Sequence, residues 1–200
     1  AVGLDLVHND ASVYFICVTD KYIGKTAERI TIKDPNALLL HTSGSARIQE
    51  LGNRVHTSGV FYPLQTFSRE AEIDWSQIPI LVESSNRDSE HSILYLADLF
   101  SKTVITLSYK DRLKLHLAAV LVNNFTNALY VAAFDLINRD ANSKDLNFDL
   151  LLPIIEQTTQ KIKNLDPRSA QTGPAKRRDE EVMEKHLELL SKQTELKKVY

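Results

Sequence analysis

The chain has 200 residues, with 24 Lys and Arg against 26 Asp and Glu, and a formal net charge of -2. Its 43% hydrophobic residues and mean hydropathy of -0.22 are typical of a globular protein with enough chain to bury a core. The charge balance excludes a general basic surface for nucleic acid or an anionic membrane, and the single cysteine, Cys17, excludes a disulfide framework and suits a cytoplasmic location.

From residue 11 to 107, short β-rich runs alternate with helical segments, which predicts βαβ units and a largely parallel sheet. A first helix is expected to start at Asp20 as its N-cap and to stop at Asp34-Pro35, and further helices are expected at 46–51 and 87–101. The predicted strands cover 12–18, 37–41, 55–62, 78–83 and 103–107. The fold class is therefore α/β for this part of the chain.

From Tyr109 onward the pattern is helical. We predict helices at 109–138, 148–164 and 179–193, a polar link after residue 138, and an irregular segment at 166–178. The apolar stretch 117–137 is long enough to cross a membrane, but its asparagines would be costly facing lipid, so we expect a buried helix of a soluble protein and no membrane partner. The predicted domains are 1–107, an α/β domain, and 108–200, an all-α domain.

Polar residues follow three of the predicted strands. Ligands of open α/β sheets bind at the carboxyl ends of strands, and these ends carry Val18-Thr19-Asp20, then 41–45 (HTSGS), then 62–67 (YPLQTF). Hydroxyls and free amides in the second loop suit ribose or phosphate contacts. The alternative is an ordinary strand-to-helix turn, in which Ser43 or Ser45 caps a helix at Ala46.

A polar stripe runs along the predicted helix 109–138, because its members are spaced three or four residues apart. The stripe contains His116, Val120, Asn123, Asn124 and Asn127. A histidine at one end could act as general acid or base near neutral pH, and the amides could orient a carbonyl or hydroxyl. The alternative is a set of satisfied core or capping side chains.

The segment 171–179 (QTGPAKRRD) combines a rigid turn, cations and the start of a helix, which favours a bound carboxylate or phosphate. A solvated basic turn, balanced by Glu180 and Glu181, is the alternative. No histidines have metal-ligand spacing, so no metal is predicted. The six glycines include no two that lie two residues apart, which excludes G-x-G-x-x-G and P-loop motifs, and no G-x-S-x-G elbow is present.

A resemblance that covers essentially the whole chain rests on four short sequence segments. They are HTSGS (41–45), YPLQTF (62–67), HLAAVLVNNFTNALY (116–130) and QTGPAKRRD (171–179). Together they resemble NADP-dependent oxidoreductases that join a Rossmann-like domain to a helical domain similar to the C-terminal domain of 6-phosphogluconate dehydrogenase. Relatives by architecture are pyrroline-5-carboxylate reductase, ketopantoate reductase and the β-hydroxyacid dehydrogenases. In this family a strand, a glycine-rich turn and a helix open the fold, and we expect that portion to precede residue 1.

The resemblance implies NADP as cofactor, with NAD as the alternative. Val18, Thr19 and Asp20 would lie near its adenosine side. The residues His41, Thr42, Ser43 and Gly44 would lie near its nicotinamide ribose. Tyr62 stands where many members carry a histidine, so a proton-transfer role does not carry over to it directly.

The resemblance also implies a small carbonyl, imine or hydroxy-acid substrate. Its predicted neighbours on the first domain are Pro63, Gln65 and Thr66. His116 would donate a proton or orient the substrate, Asn123 and Asn127 would hold a carbonyl, and Asn124 would bind substrate. A carboxylate would be bound by Gln171, Thr172, Gly173 and Arg177.

The helical domain is expected to form a homodimer, as related helical domains commonly do. The alternative function is a non-catalytic ligand-binding or dimeric scaffold protein that retains the fold.

Overall fold

The computed structural model describes residues 7–68, 70, 72–138 and 146–200 of the chain. The chain divides into two compact units, one ending at Phe125 and the other covering Thr126–Tyr200. The boundary expected from the sequence, after residue 107, lies earlier than this division, so the unit that holds the sheet also holds the start of the long helical stretch.

The first unit is built on a five-stranded sheet whose strands follow each other in chain order. Its strands are β1 (Val13–Ile16), β2 (Leu38–His41), β3 (Thr57–Pro63), β4 (Ile80–Ser84) and β5 (Val104–Thr106). The pairs β1–β2, β2–β3 and β4–β5 are parallel. The predicted α/β fold with a mostly parallel sheet is therefore confirmed.

The pair β3–β4 is antiparallel and is the exception in this mostly parallel sheet. Parallel neighbours need a crossover connection, usually a helix. The described residues between β3 and β4 contain only a short 3-10 turn, Trp75–Gln77, and no α-helix. The chain therefore returns along the sheet in the opposite direction.

Helices cover both faces of this sheet. The helices of the first unit are α1 (Ile23–Arg29), α2 (Arg87–Asp98) and α3 (Tyr109–Val120), with a π-helical turn at Leu121–Phe125. Successive strand residues point to opposite faces, so Leu39 packs with α1 residues on one face while Leu38 and Leu40 pack with α2 residues on the other. All four residues of β2 are buried, as expected of a strand covered on both sides.

Two predicted helix starts need correction. Asp20 does not cap a helix but begins a 3-10 turn, Asp20–Tyr22, because its carboxylate accepts a hydrogen bond from the Ser45 hydroxyl instead. The predicted helix 46–51 is a 3-10 turn, Ile48–Leu51. By contrast, α2 starts as predicted, with a reciprocal capping box between Asn86 and Ser89.

The second unit is entirely helical in its described residues. Its helices are α4 (Thr126–Asn138), α5 (Leu152–Asn164), α6 (Pro167–Ala170), α7 (Pro174–Arg177), α8 (Glu180–Leu189) and α9 (Thr194–Val199), and a 3-10 turn, Phe148–Leu151, precedes α5. The predicted polar link after Asn138 lies mostly outside the described residues.

The segment expected to be irregular, 166–178, contains two single-turn helices. Pro167 and Pro174 each occupy the start of one of them, where the fixed φ of proline suits a first helical turn. The final helix expected at 179–193 ends earlier, at Leu189, and α9 follows it.

The helical stretch Tyr109–Asn138 is long and apolar enough to cross a membrane, by length and composition alone, and its most apolar part is not buried in the protein. The prediction of a buried helix is therefore wrong. Leu117 is 59% exposed and Val122 is 75% exposed. One such helix also occurs in soluble proteins, so it assigns no membrane.

Candidate active site

The loop that follows β2 is held in place largely by its own polar groups. The His41 Nδ1 atom accepts a hydrogen bond from the Ser43 N–H at 3.2 Å. The Ser43 hydroxyl accepts from the N–H groups of Ser45 and Ala46 at 3.0 and 2.9 Å. Ser43 thus caps a turn that contains Ala46, but the expected helix does not begin there, because the 3-10 turn starts at Ile48. The Gly44 N–H makes no hydrogen bond to a protein atom among the described residues.

A fully buried guanidinium, that of Arg112, ties this loop to α3 and β4. It donates to the carbonyl oxygens of Ser43 and Ala46, both at 2.8 Å, and to the Glu83 carboxylate at 2.9 Å. Buried cations are stable only when paired and hydrogen-bonded, and Arg112 meets both conditions. Arg112 was not among the predicted site residues, although its position four residues before His116 places the two on one helix face.

The loop meets a tyrosine–histidine pair at Gly44. The Tyr62 hydroxyl lies 3.0 Å from His116 Nδ1, and the two rings meet edge to face with centroids 5.8 Å apart. A Cβ atom at Gly44 would lie 2.5 Å from His116 Nδ1 and 2.8 Å from Tyr62 Cζ. The pair leaves no room for a side chain at residue 44, so the loop backbone lies directly against it.

Tyr62 and His116 line a cleft of about 800 Å³ in the first unit. Its other polar walls come from Gln65, Thr66, Asn123 and Asn124. The cleft therefore brings together four residues predicted to bind substrate or act in catalysis, with His116 as a fifth. Tyr62, for which the resemblance supplied no role, also lines the cleft.

Two predicted groups lie elsewhere. Pro63 is buried at the end of β3, and its carbonyl accepts from the Gln65 N–H at 3.0 Å, so it shapes the loop and does not line the cleft. Val18, Thr19 and Asp20 follow β1 and are exposed.

The π-helical turn Leu121–Phe125 changes the polar stripe expected on a regular helix. It contains Asn123 and Asn124, both exposed. Turns of this type widen a helix and are frequent at functional sites. Asn127 belongs to the second unit.

The predicted carboxylate site at 171–177 also belongs to the second unit. There Gly173 has a φ of 99°, which requires glycine, and precedes α7. Arg177 lies 4.0 Å from the Asp179 carboxylate, and both side chains are exposed. Gln171 and Thr172 are exposed as well.

Burial moves two pKa values in directions that keep both groups uncharged. The pKa of His41 is lowered from 6.5 to about 4, mainly by burial and then by the Arg112 charge, while a backbone contact with Arg47 and the Asp20 charge oppose the change. The His41 Nε2 atom has no hydrogen-bond partner among the described residues. Burial likewise raises the pKa of Tyr62, so its phenol stays protonated at neutral pH.

The mostly parallel sheet and the cleft at its strand ends define an α/β protein with an NADP oxidoreductase-like fold. The chain belongs to the family described as domain of unknown function DUF2520, whose model matches residues 78–200. A comparison with curated proteins gives no match.

Several solved structures are similar to the chain, including the following three. The "putative NADP oxidoreductase BF3122" of Bacteroides fragilis is 34% identical, with a TM-score of 0.88, over 100% of this chain and 76% of that one. Protein TM1727 of Thermotoga maritima is 23% identical, with a TM-score of 0.76, over 96% of this chain and 79% of that one. A "putative oxidoreductase" of Mycobacterium avium 104 is 13% identical, with a TM-score of 0.52, over 86% and 62%. The latter two support the fold alone. The similarity to the Bacteroides fragilis protein confirms the resemblance found in the sequence.

We expect Arg112→Met to lower the free energy of unfolding by about 3–5 kcal/mol, because it leaves the Glu83 carboxylate and two carbonyls without their cation. Urea denaturation measures this. Lys110→Met, on the exposed side of the same helix, is the matched control and should cost less than about 0.5 kcal/mol. Equal losses in the two variants would contradict the role of Arg112.

The buried His41 should make stability pH-dependent. In the unfolded chain it binds a proton below 6.5, whereas in the folded chain it does so only below about 4. Stability from this group is therefore complete above pH 6.5 and is lost as pH falls from 6.5 to 4, by on the order of 3 kcal/mol.

We expect His41→Asn, whose Oδ1 can replace Nδ1 as the acceptor for the Ser43 N–H, to remove most of this dependence in urea titrations across that pH window. His91→Asn changes an exposed histidine and should leave the dependence intact. A His41→Asn protein with the full dependence would show that other groups cause it.

Proposed function

We propose that the protein is an NADP-dependent oxidoreductase, with NAD as the alternative cofactor, acting on a small carbonyl, imine or hydroxy-acid substrate. One observation carries the proposal. At Gly44, the loop at the carboxyl end of β2 lies directly against the Tyr62–His116 pair. A loop suited to a ribose and a pair suited to proton transfer are thus adjacent, as reduction of a carbonyl requires.

The loop after β2 fits the ribose end of a nicotinamide cofactor. The Gly44 N–H has no acceptor in the described part of the chain, and Thr42 offers a partly exposed hydroxyl close to it in the loop. His41 and Ser43 do not offer polar groups to the cofactor in this way, because those groups are buried or hydrogen-bonded within the loop. We therefore assign both residues the role of holding the shape of the loop. When bound, the cofactor supplies the hydride that the protein cannot supply itself.

The adenosine side of the cofactor is proposed to lie at Val18, Thr19 and Asp20, after β1. This part rests on the resemblance and on the position of these residues at a neighbouring strand end. The sequence offers no glycine-rich phosphate turn, so we assign no residue to the pyrophosphate.

The substrate is proposed to occupy the cleft. Gln65, Thr66, Asn123 and Asn124 supply amides and a hydroxyl that orient a carbonyl, and His116 supplies or orients the proton. For the second unit taken by itself, the resemblance implies substrate contacts at Asn127 and a carboxylate site formed by Gln171, Thr172, Gly173 and Arg177.

We expect the protein expressed from its complete reading frame to quench or enhance NADPH or NADH fluorescence saturably. Thr42→Val should weaken this binding by about tenfold, since one hydrogen bond to ribose is worth about 1.4 kcal/mol. Thr31→Val, at an exposed position after α1, is the control and should bind as the unchanged protein does. Absence of saturable binding of either nucleotide would contradict the oxidoreductase and favour a non-catalytic scaffold.

We further propose that the protein is a cytoplasmic homodimer formed through its helical unit. Large apolar side chains are exposed there, including Ile154 at 64% and Phe134 at 51%. A second copy would cover such a surface without the cost of placing asparagines in lipid. The exposed thiol of Cys17 is compatible with a reducing compartment.

Sedimentation velocity without detergent should show a dimer. Ile154→Glu should shift it to monomer, because burying an unpaired carboxylate in an apolar interface is costly. Gln160→Glu adds the same charge at an exposed polar position of α5 and should remain dimeric. A monomer at all concentrations would contradict the dimer, and a need for detergent would contradict the cytoplasmic location as well.

A further inference from the structure

The Tyr62 hydroxyl occupies a position between a histidine and an open cleft. It lies 3.0 Å from His116 Nδ1, and both side chains line the cleft. A phenol has one proton to donate and two lone pairs that accept. When His116 Nδ1 carries a proton and donates it to the Tyr62 oxygen, the phenolic proton is free to point to a group in the cleft.

The surroundings fix this arrangement. The Gly44 backbone lies against both rings and leaves no space for them to rotate towards the loop. Arg112, one turn before His116 on α3, is fully occupied by two carbonyls and the Glu83 carboxylate. His116 therefore has Tyr62 as its hydrogen-bond partner among the described residues.

Burial and two nearby charges shift the pKa of the Tyr62 phenol in opposite directions. Burial raises the pKa of Tyr62, the Arg112 guanidinium lowers it, and the Asp20 carboxylate raises it. The net result is a neutral phenol, which can donate a proton where a phenolate could not. Glu83 is paired with Arg112, and His41 is neutral above about pH 4.

We propose that Tyr62 is the catalytic residue that donates a proton to the substrate oxygen, and that His116 positions Tyr62 and returns the proton to it. The proposal rests on the proposed function. It reverses the roles suggested by the sequence, in which His116 touched the substrate and Tyr62 had no assigned part.

Protons and electrons balance in this step. As the carbonyl carbon receives a hydride from the reduced nicotinamide, its oxygen takes the proton of the Tyr62 hydroxyl and becomes an alcohol. The Tyr62 oxygen takes the Nδ1 proton of the His116 imidazolium, which becomes a neutral imidazole. One hydride and one proton have then been added to the carbonyl, and solvent re-protonates the imidazole.

The test measures reduction of pyruvate, glyoxylate and benzaldehyde with NADPH or NADH by the protein expressed from its complete reading frame. For the probe that is reduced, Tyr62→Phe should lower kcat by about 10²–10⁴ with little change in KM, since it removes only the proton donor. His116→Gln keeps a hydrogen-bond partner for Tyr62 and should lower kcat less. Its KM should change little as well, because His116 acts through Tyr62 and not on the substrate carbonyl.

Two matched controls make the same substitutions at exposed positions of α2. Tyr95→Phe and His91→Gln should leave both kcat and KM unchanged. A Tyr62→Phe protein that keeps its kcat overturns the proposal while the oxidoreductase function stands. Reduction of none of the probes, with cofactor binding intact, also overturns the proton donor. Absence of cofactor binding overturns both the proposal and the function.

Discussion

The candidate site depends on one buried cation. The Arg112 guanidinium is removed from water, and its hydrogen bonds to Glu83, Ser43 and Ala46 offset that cost. Because these partners come from β4 and from the loop after β2, a single side chain fixes where α3 lies on the sheet. His116 stands one turn further along α3, so its position against Gly44 follows from the same interaction.

Local patterns predicted the frame of the first unit well. Short β-rich runs became strands because their side chains are buried on one or both faces, as Leu38 and Leu39 show by packing on opposite sides of β2. The direction of β4 could not be read in this way. Strand direction depends on the connection, and the residues between β3 and β4 show neither a clear helical period nor a tight hairpin turn.

The site was predicted in its parts, but the relation between the parts was not. One cleft is lined by Asn123 and His116, which were selected for their chemistry, and by Gln65, which the resemblance implied. Tyr62 was discounted because it replaces the histidine that many family members carry, whereas its role depends on a neighbour 54 positions away along the chain. Arg112 gave the same difficulty, since an arginine in a charged stretch of helix is usually solvated and nothing local marks it as buried.

Burial shifts the pKa values of two groups close to the loop in opposite directions. It keeps His41 neutral by lowering its pKa and keeps Tyr62 neutral by raising its pKa. A neutral His41 can accept the Ser43 N–H and so holds the loop shape, whereas a neutral Tyr62 retains the proton that a carbonyl oxygen needs. Arg112 lowers both pKa values, and therefore it strengthens the first effect and limits the second. The cation that assembles the site thus also tunes it, because it keeps the phenol more acidic than burial alone would leave it.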